Sequence, residues 1–400
     1  MYELVIVGGG FAGMWAALGA AHEVVENDAD IEITVISKDP FLSIRPRLYE
    51  GNPETLRVPL MPTFEPLDIN FQEGTVTSID VENQNIAIRQ TGGGLSNKRY
   101  DRLILAAGSE LKELPIPGLD QYGFNIDTYQ AAVTLDKHLV SILQAPEEPG
   151  HNTFIILGAG MSGIELATQI RDRIEVNTDR EIAEKARIIL VEQAEVVGPD
   201  LGDKPRPVIE KALQHANVEL YLGVRIERVE QNAVTLNSGE HLLTGTVVVT
   251  AGLQASSLAS VLPIERDEFG RIPTDETLRV KGVPHIYVAG DMAHAYVDEE
   301  HLALMSCQHA MAMGKYAGYN AARELIGLRP RAYRQPDYVT CIDLGRSGAL
   351  LTTGWERSIK MGGADAKKLK HQINTQWIYP PEGDRTALLL AAHIDARPGR

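Results

Sequence analysis

A chain of 400 residues is long enough for two or three domains and a substantial core. Its 44% hydrophobic and 23% charged content is that of an ordinary globular protein, and a net charge of -16 argues against nucleic acid and anionic lipid as partners. Cys307 and Cys341 are far apart and outside any CxxC spacing, which argues against a disulfide framework and a structural metal.

The first strand, around Val5–Val7, runs straight into Gly8-x-Gly10-x-x-Gly13 and a helix through Met14–Leu18. In such a turn one glycine permits the bend, the second lets backbone approach a pyrophosphate, and the third lets helix and strand pack closely. The helix start, with Phe11 and Ala12, then faces the phosphates with unsatisfied N–H groups. Ile31–Ser37 reads as the second strand of a β-α-β unit. The acid that grips a ribose at that strand end is replaced by Ser37, followed by Lys38 and Asp39. Either Asp39 reaches back to the ribose or Ser37 makes a weaker contact. The next loop, Phe41–Glu50, sets Arg45 and Arg47 around Pro46, forks suited to phosphates, carboxylates or solvent. Thr75–Ile79, which includes Val76, pairs with Ile86–Arg89 as a hairpin, and Tyr100–Ser109 is a buried strand ending in Ala107-Gly108.

The pattern then repeats. After a linker at Ala145–Gly150, Phe154–Ala167 carries Gly158, Gly160 and Gly163, and the strand Ala186–Glu192 ends in a carboxylate. Glu192 suits a ribose 2'-OH and repels a 2'-phosphate, which favours NADH over NADPH. A helix at Pro207–His215 and strands at Val218–Tyr221, Val224–Val229 and Ala233–Leu236 lead to a second buried strand ending in Ala251-Gly252. Asp267–Asp275 reads as a hairpin, and His285–Asp291 as an apolar strand ending in Gly-Asp. The acidic cluster His294, Asp298, Glu299, Glu300 and His301 reads as a solvated loop. Two nucleotide-binding modules imply two dinucleotides.

The paired glycine turns, the paired Ala-Gly strand ends and Tyr287–Asp291 resemble the two-dinucleotide-binding-domain flavoproteins, in particular type II NADH:quinone oxidoreductases. The resemblance implies an α/β fold of two Rossmann-like domains with a small C-terminal α+β domain. The expected boundaries are an FAD-binding domain in two parts, 1–112 and 266–328, an inserted NADH-binding domain at 113–265, and a C-terminal domain at 329–400. By resemblance, Gly8, Gly10, Phe11, Ala12, Gly13, Ser37, Lys38, Arg45, Val76, Ala107, Gly108 and Asp291 bind FAD. Gly158, Gly160, Gly163, Glu192 and Gly252 bind NADH. Glu165 would lie near nicotinamide and flavin, and Gln308 and His309 near the flavin ring; these are the expected catalytic residues.

The implied activity is hydride transfer from NADH to FAD and on to a quinone-type acceptor. Two alternatives stay open: a soluble FAD-dependent dehydrogenase or reductase of a small anionic metabolite using Arg45 and Arg47, and a flavoprotein that senses NADH without fast turnover. The tail departs from the family's membrane-binding region, because its apolar piece Ala387–Ala392 is short and better explained as docked. Membrane contact is therefore expected to be peripheral at most, in a cytoplasmic homodimer that could touch the inner face of the membrane. Tyr338–Gly348 and Lys367–Asn374 look similar to sulfide:quinone oxidoreductases, but Met161 and Ser162 stand in the second glycine turn where a redox cysteine would be needed. Gln376–Pro381 could line an acceptor pocket or form core.

Overall fold

The computed structural model describes residues 1–144, 148–177 and 180–396, so part of the expected linker, residues 145–147, lies outside the described residues. Two parallel five-stranded sheets organise the chain. In the first, Tyr2–Val7 is central, with Ile31–Ser37 and then Asn70–Glu73 on one side and Arg102–Leu105 and then Ile286–Val288 on the other. In the second, Thr153–Leu157 is central, with Arg187–Glu192 and Val218–Leu222 on one side and Thr246–Val249 and Gly123–Asn125 on the other. Val7 pairs with Ile36 and Leu105, and Leu157 with Val191 and Val249, so each glycine turn leaves its sheet at the carboxyl edge between two neighbours. The central strands are covered on both faces, which is why they read as unbroken apolar runs.

Each module also carries a three-stranded antiparallel meander, Thr75–Asp80, Asn85–Arg89 and Leu95–Arg99 in the first, Ile226–Glu230, Ala233–Leu236 and His241–Leu243 in the second. The third strands lack apolar alternation and escape a sequence reading; Leu95–Arg99 is an exposed polar edge. The expected hairpin at Asp267–Asp275 is corrected. Asp267 closes a tight turn by accepting from the Phe269 and Arg271 N–H groups, and Ile272–Pro273 then pairs in parallel with Ala293–His294. Pro273 has no N–H to offer a hairpin ladder. The C-terminal part is an antiparallel sheet of Val339–Asp343, Ala349–Thr353 and Ser358–Gly362, followed by the helix Gly363–Gln372, a wide turn at Ile373–Trp377 and the helix Arg385–Ala392. The last of these is the docked Ala387–Ala392 segment, with Asp384 as its cap. No helix among the described residues is long and apolar enough to cross a membrane.

The helix Phe11–Glu26 packs backbone to backbone against the helix Cys307–Leu325. A Cβ on Gly318 would fall 1.9 Å from Ala16 O, one on Gly314 2.3 Å from Ala12 O, and one on Gly19 2.5 Å from Lys315 O. Three glycines therefore set the distance between the helices. Gly318→Ala should destabilise the fold by about 1–3 kcal/mol through overpacking against rigid backbone. Gly92→Ala, where a Cβ meets nothing within 4 Å, serves as the neutral control, both read from urea midpoints.

Candidate active site

The two glycine turns have the same internal geometry. Gly8 sits at φ +115° with its would-be Cβ 2.3 Å from Ala106 O, and Gly158 at φ +108° with its own 2.7 Å from Ala251 Cβ. Gly13 and Gly163 press on the carbonyls of Gly8 and Gly158, at 1.8 and 1.9 Å. At Gly10 and Gly160 a Cβ would meet nothing within 4 Å, so these two look into open space. No side chain caps the helix that starts at Phe11, which leaves its first N–H groups free for an anion.

A cavity of about 1220 Å³ extends from the first turn to the C-terminal sheet. Gly8, Gly10, Phe11 and Ala12 line it, as do Ser37, Lys38, Val76, Ala107 and Gly108. Arg45, Asp291, Glu165 and Gln308 line it too. Gly13 lies beneath the first turn. Gly158, Gly160, Gly163, Glu192 and Gly252 stand outside this cavity, at the second turn, which contributes Met161, Ser162 and Thr250 to the wall.

Arg45 and Asp291 belong to one polar network. Arg45 pairs with the Asp127 carboxylate and donates to Ser109 Oγ at 3.1 Å, while Ser109 Oγ donates to Asp291 Oδ2 at 2.6 Å. Burial raises the Asp291 pKa, with Ser109 and Arg45 pulling it back. Arg47 is clamped by Glu50 at 2.7 Å and donates to Tyr379 OH at 2.8 Å. Both arginine forks thus already hold protein partners, which argues against their capturing an anionic metabolite. Asp39 pairs with Arg57 at 2.8 Å and accepts from the Phe41 N–H, and it lines the cavity beside Ser37 and Lys38. Glu192 is buried, accepting from the N–H groups of Ala159 and Ala194, both at 2.9 Å. Its carboxylate therefore fixes the second glycine turn as well as ending its strand.

Glu165 leads to a residue that sequence reasoning missed. Its Oε1 accepts from Lys370 Nζ at 2.8 Å and from the Asp343 N–H at 2.9 Å, and Lys370 also donates to Cys341 O at 2.8 Å. Burial pushes the Glu165 pKa up, partly offset by Lys370. Burial also opposes the Lys370 charge, but Glu165 outweighs it and holds the ammonium above its ordinary pKa. Lys367, one turn earlier, grips Asp343 at 2.5 Å. The sequence signal was the resemblance of Lys367–Asn374 to sulfide:quinone oxidoreductases, which did not single out Lys370.

Gln308 donates to Asp337 O at 3.3 Å on the cavity wall. His309, the next residue, does not line the cavity; it is 0% exposed and stacks on Tyr338 with ring centroids 5.4 Å apart. Its Nδ1 lies 3.1 Å from Leu304 O, so that nitrogen carries the proton, and buried Nε2 has no partner among the described residues. The structure thus gives His309 a packing position, apart from Gln308 and Glu165. Cys307 and Cys341 are free thiols on the cavity wall, and burial pushes both up to about 11, so they stay protonated at neutral pH. That is unfavourable for sulfide chemistry.

The fold and these two turns define an oxidoreductase of the flavin and nicotinamide type. The chain belongs to the pyridine nucleotide-disulphide oxidoreductase family, which it matches over residues 2–314. It is 42% identical, over 100% of both chains, to the NADH dehydrogenase-like protein MT1860 of Mycobacterium tuberculosis (strain CDC 1551 / Oshkosh). It is 29% identical, over 84% of this chain and 75% of the other, to the type II NADH:quinone oxidoreductase Ndh of Mycobacterium tuberculosis (strain ATCC 25618 / H37Rv). The structure of NDH2 from Plasmodium falciparum in complex with NADH shares the fold with a TM-score of 0.78 at 14% identity, covering 100% of this chain and 99% of that one.

Burial, with the nearby Arg357 charge, lowers the His309 pKa to about 4 from an ordinary 6.5. The unfolded chain therefore takes up this proton first as pH falls. The contribution of neutral His309 is complete above the unfolded value and drains away as pH drops toward the folded one, at most roughly 3 kcal/mol. Urea midpoints should fall through that window in the wild type and fall less steeply in His309→Phe.

Proposed function

We propose that this chain is a FAD-dependent NADH dehydrogenase that delivers its electrons to a quinone-type acceptor, with FAD on the Gly8 turn and NADH on the Gly158 turn. The observation that carries this reading is the Glu165–Lys370 pair, buried and facing the cavity at the place where the second module meets the C-terminal domain. Both dinucleotides fit their turns, because Gly10 and Gly160 leave open space where a side chain would stand and the cavity extends from the first turn. Bound there, FAD would supply the redox chemistry, accepting a hydride and passing on two electrons.

The chain's own residues then have distinct tasks. Asp291, oriented by Ser109, would accept from a hydroxyl of the ribityl chain. The N-terminus of the helix Cys307–Leu325 favours negative charge in the space it faces. Reduction of a quinone by NADH consumes one proton beyond the hydride. Glu165 takes up protons more readily than an exposed carboxylate, and Lys370 stays charged beside it, so the pair can hold that proton and stabilise negative charge developing on the acceptor oxygen. The relative that is a type II NADH:quinone oxidoreductase supports the acceptor class.

An anaerobic titration tests the reading. NADH should bleach the flavin absorbance and a quinone should restore it. Bleaching by a metabolite but not by NADH would reverse the direction of electron flow and defeat the proposal. Lys370→Met should leave the bleaching rate near wild type and slow the quinone-driven recovery by about a hundredfold, as loss of a positioned charge facing the developing oxyanion does.

A further inference from the structure

The helix Cys307–Leu325 presents a stripe to the cavity that continues well past its first turn. Gln308, Met311, Ala312 and Tyr316 all line the wall, at spacings that keep them on one helix face. From Gln308 to Tyr316 that face is about 12 Å long. Ile373, Trp377 and Ile378 from the C-terminal domain line the same cavity, so the walls here are largely apolar. The wall is completed by Ile394, Asp395 and Ala396, which follow the terminal helix.

A buried ammonium anchors this segment at Ala396 and, just before it, at Ala391 and His393. Lys315, neighbour to Tyr316 and 2% exposed, donates to Ala391 O at 2.7 Å and to Ala396 O at 2.8 Å, with His393 O at 3.4 Å. Its Nζ also lies 4.6 Å from the centre of the Trp15 ring. Among the described residues Lys315 has no carboxylate partner, so carbonyls and a ring carry the cost of burying its charge. Burial brings its pKa down to about 8. The second hook, Asp395 with Arg331 at 3.2 Å, is half-exposed and weak. The terminal helix has anchors besides Lys315, being capped by Asp384 and tied to the first module by Arg385–Asp68.

Resting on the quinone-acceptor reading above, we propose that Ile394–Ala396 is a gate across the far end of an apolar acceptor corridor. Lys315 is its latch, and the gate selects acceptors by the length of their side chain. A ring without a tail fits in front of the gate; a long apolar chain must displace it. Lys315 acts through the tail and is a positioning residue.

The test compares kcat/KM of the holoenzyme for a naphthoquinone without a side chain and for the same ring bearing a decyl chain. Wild type, Lys315→Met and a chain lacking residues 394–400 are measured, with flavin content and melting temperature as controls on folding. The inference requires both variants to raise the ratio of decyl-chain to tail-less quinone by about tenfold, the scale on which pocket shape discriminates apolar groups. An unchanged or lowered ratio overturns the gate. If Lys315→Met does not fold, the shortened chain alone decides. A wild type that NADH bleaches but that reduces neither quinone refutes the acceptor reading itself, and the gate with it.

Discussion

Everything in the catalytic half of the molecule depends on two helices touching through their backbones. Phe11–Glu26 starts at the first glycine turn, and Cys307–Leu325 starts at the wall opposite. Because Gly19, Gly314 and Gly318 let backbone meet backbone at three points of contact, the second helix is held at one depth and one rotation against the first. That rotation decides which residues face the cavity. Successive residues on a helix point about 100° apart, so Gln308 reaches the cavity while His309 enters an aromatic stack with Tyr338 and Trp355. The Ser306 hydroxyl, accepting from the His309 N–H, fixes where the helix begins.

Buried charge is the second organising element. Ion pairs taken out of water contribute little net stability, because desolvation cancels most of their attraction. What they supply here is placement. The Arg45–Asp127 pair and the Ser109–Asp291 bond tie the loop after the second strand to the far strand of the first sheet's module, with Arg45 meeting both Asp127 and Ser109. Glu165 is likewise satisfied twice, by Lys370 and by the Asp343 N–H. A group so held cannot turn away from the cavity, and its proton affinity is set by where it is fixed.

How much of this was legible in the chain depends on the range of the interaction. The glycine turns were legible because their constraint is local: at Gly8 and Gly158 the positive φ and the close strand admit no other residue, and the motif repeats. The parallel sheets followed from apolar runs buried on both faces. The pairing of Lys370 was not legible, since its partner Glu165 lies in another module and the resemblance carried by Lys367–Asn374 names no partner. Asp39 shows the same limit: the sequence places it just past the strand end, but not its pairing with Arg57, which also stacks on Phe41 and Tyr129.

The C-terminal domain then takes on a role beyond closing the cavity. The second module meets the cavity through the start of the helix Met161–Asn177, whose Met161, Ser162 and Glu165 form part of the wall. The same helix is gripped along its length by the C-terminal domain: Lys370 and Asp343 hold Glu165, and Arg346 pairs with Asp172 at 3.1 Å and with Glu175. Gly345, at φ +58°, packs against Thr168 and Asp172 of that helix, where a bulkier residue would push the two apart. The helix that begins at the second glycine turn is thus braced by the same C-terminal domain that lines the cavity through Cys341, Lys370, Ile373 and Trp377, so one packed unit fixes both that turn and this wall.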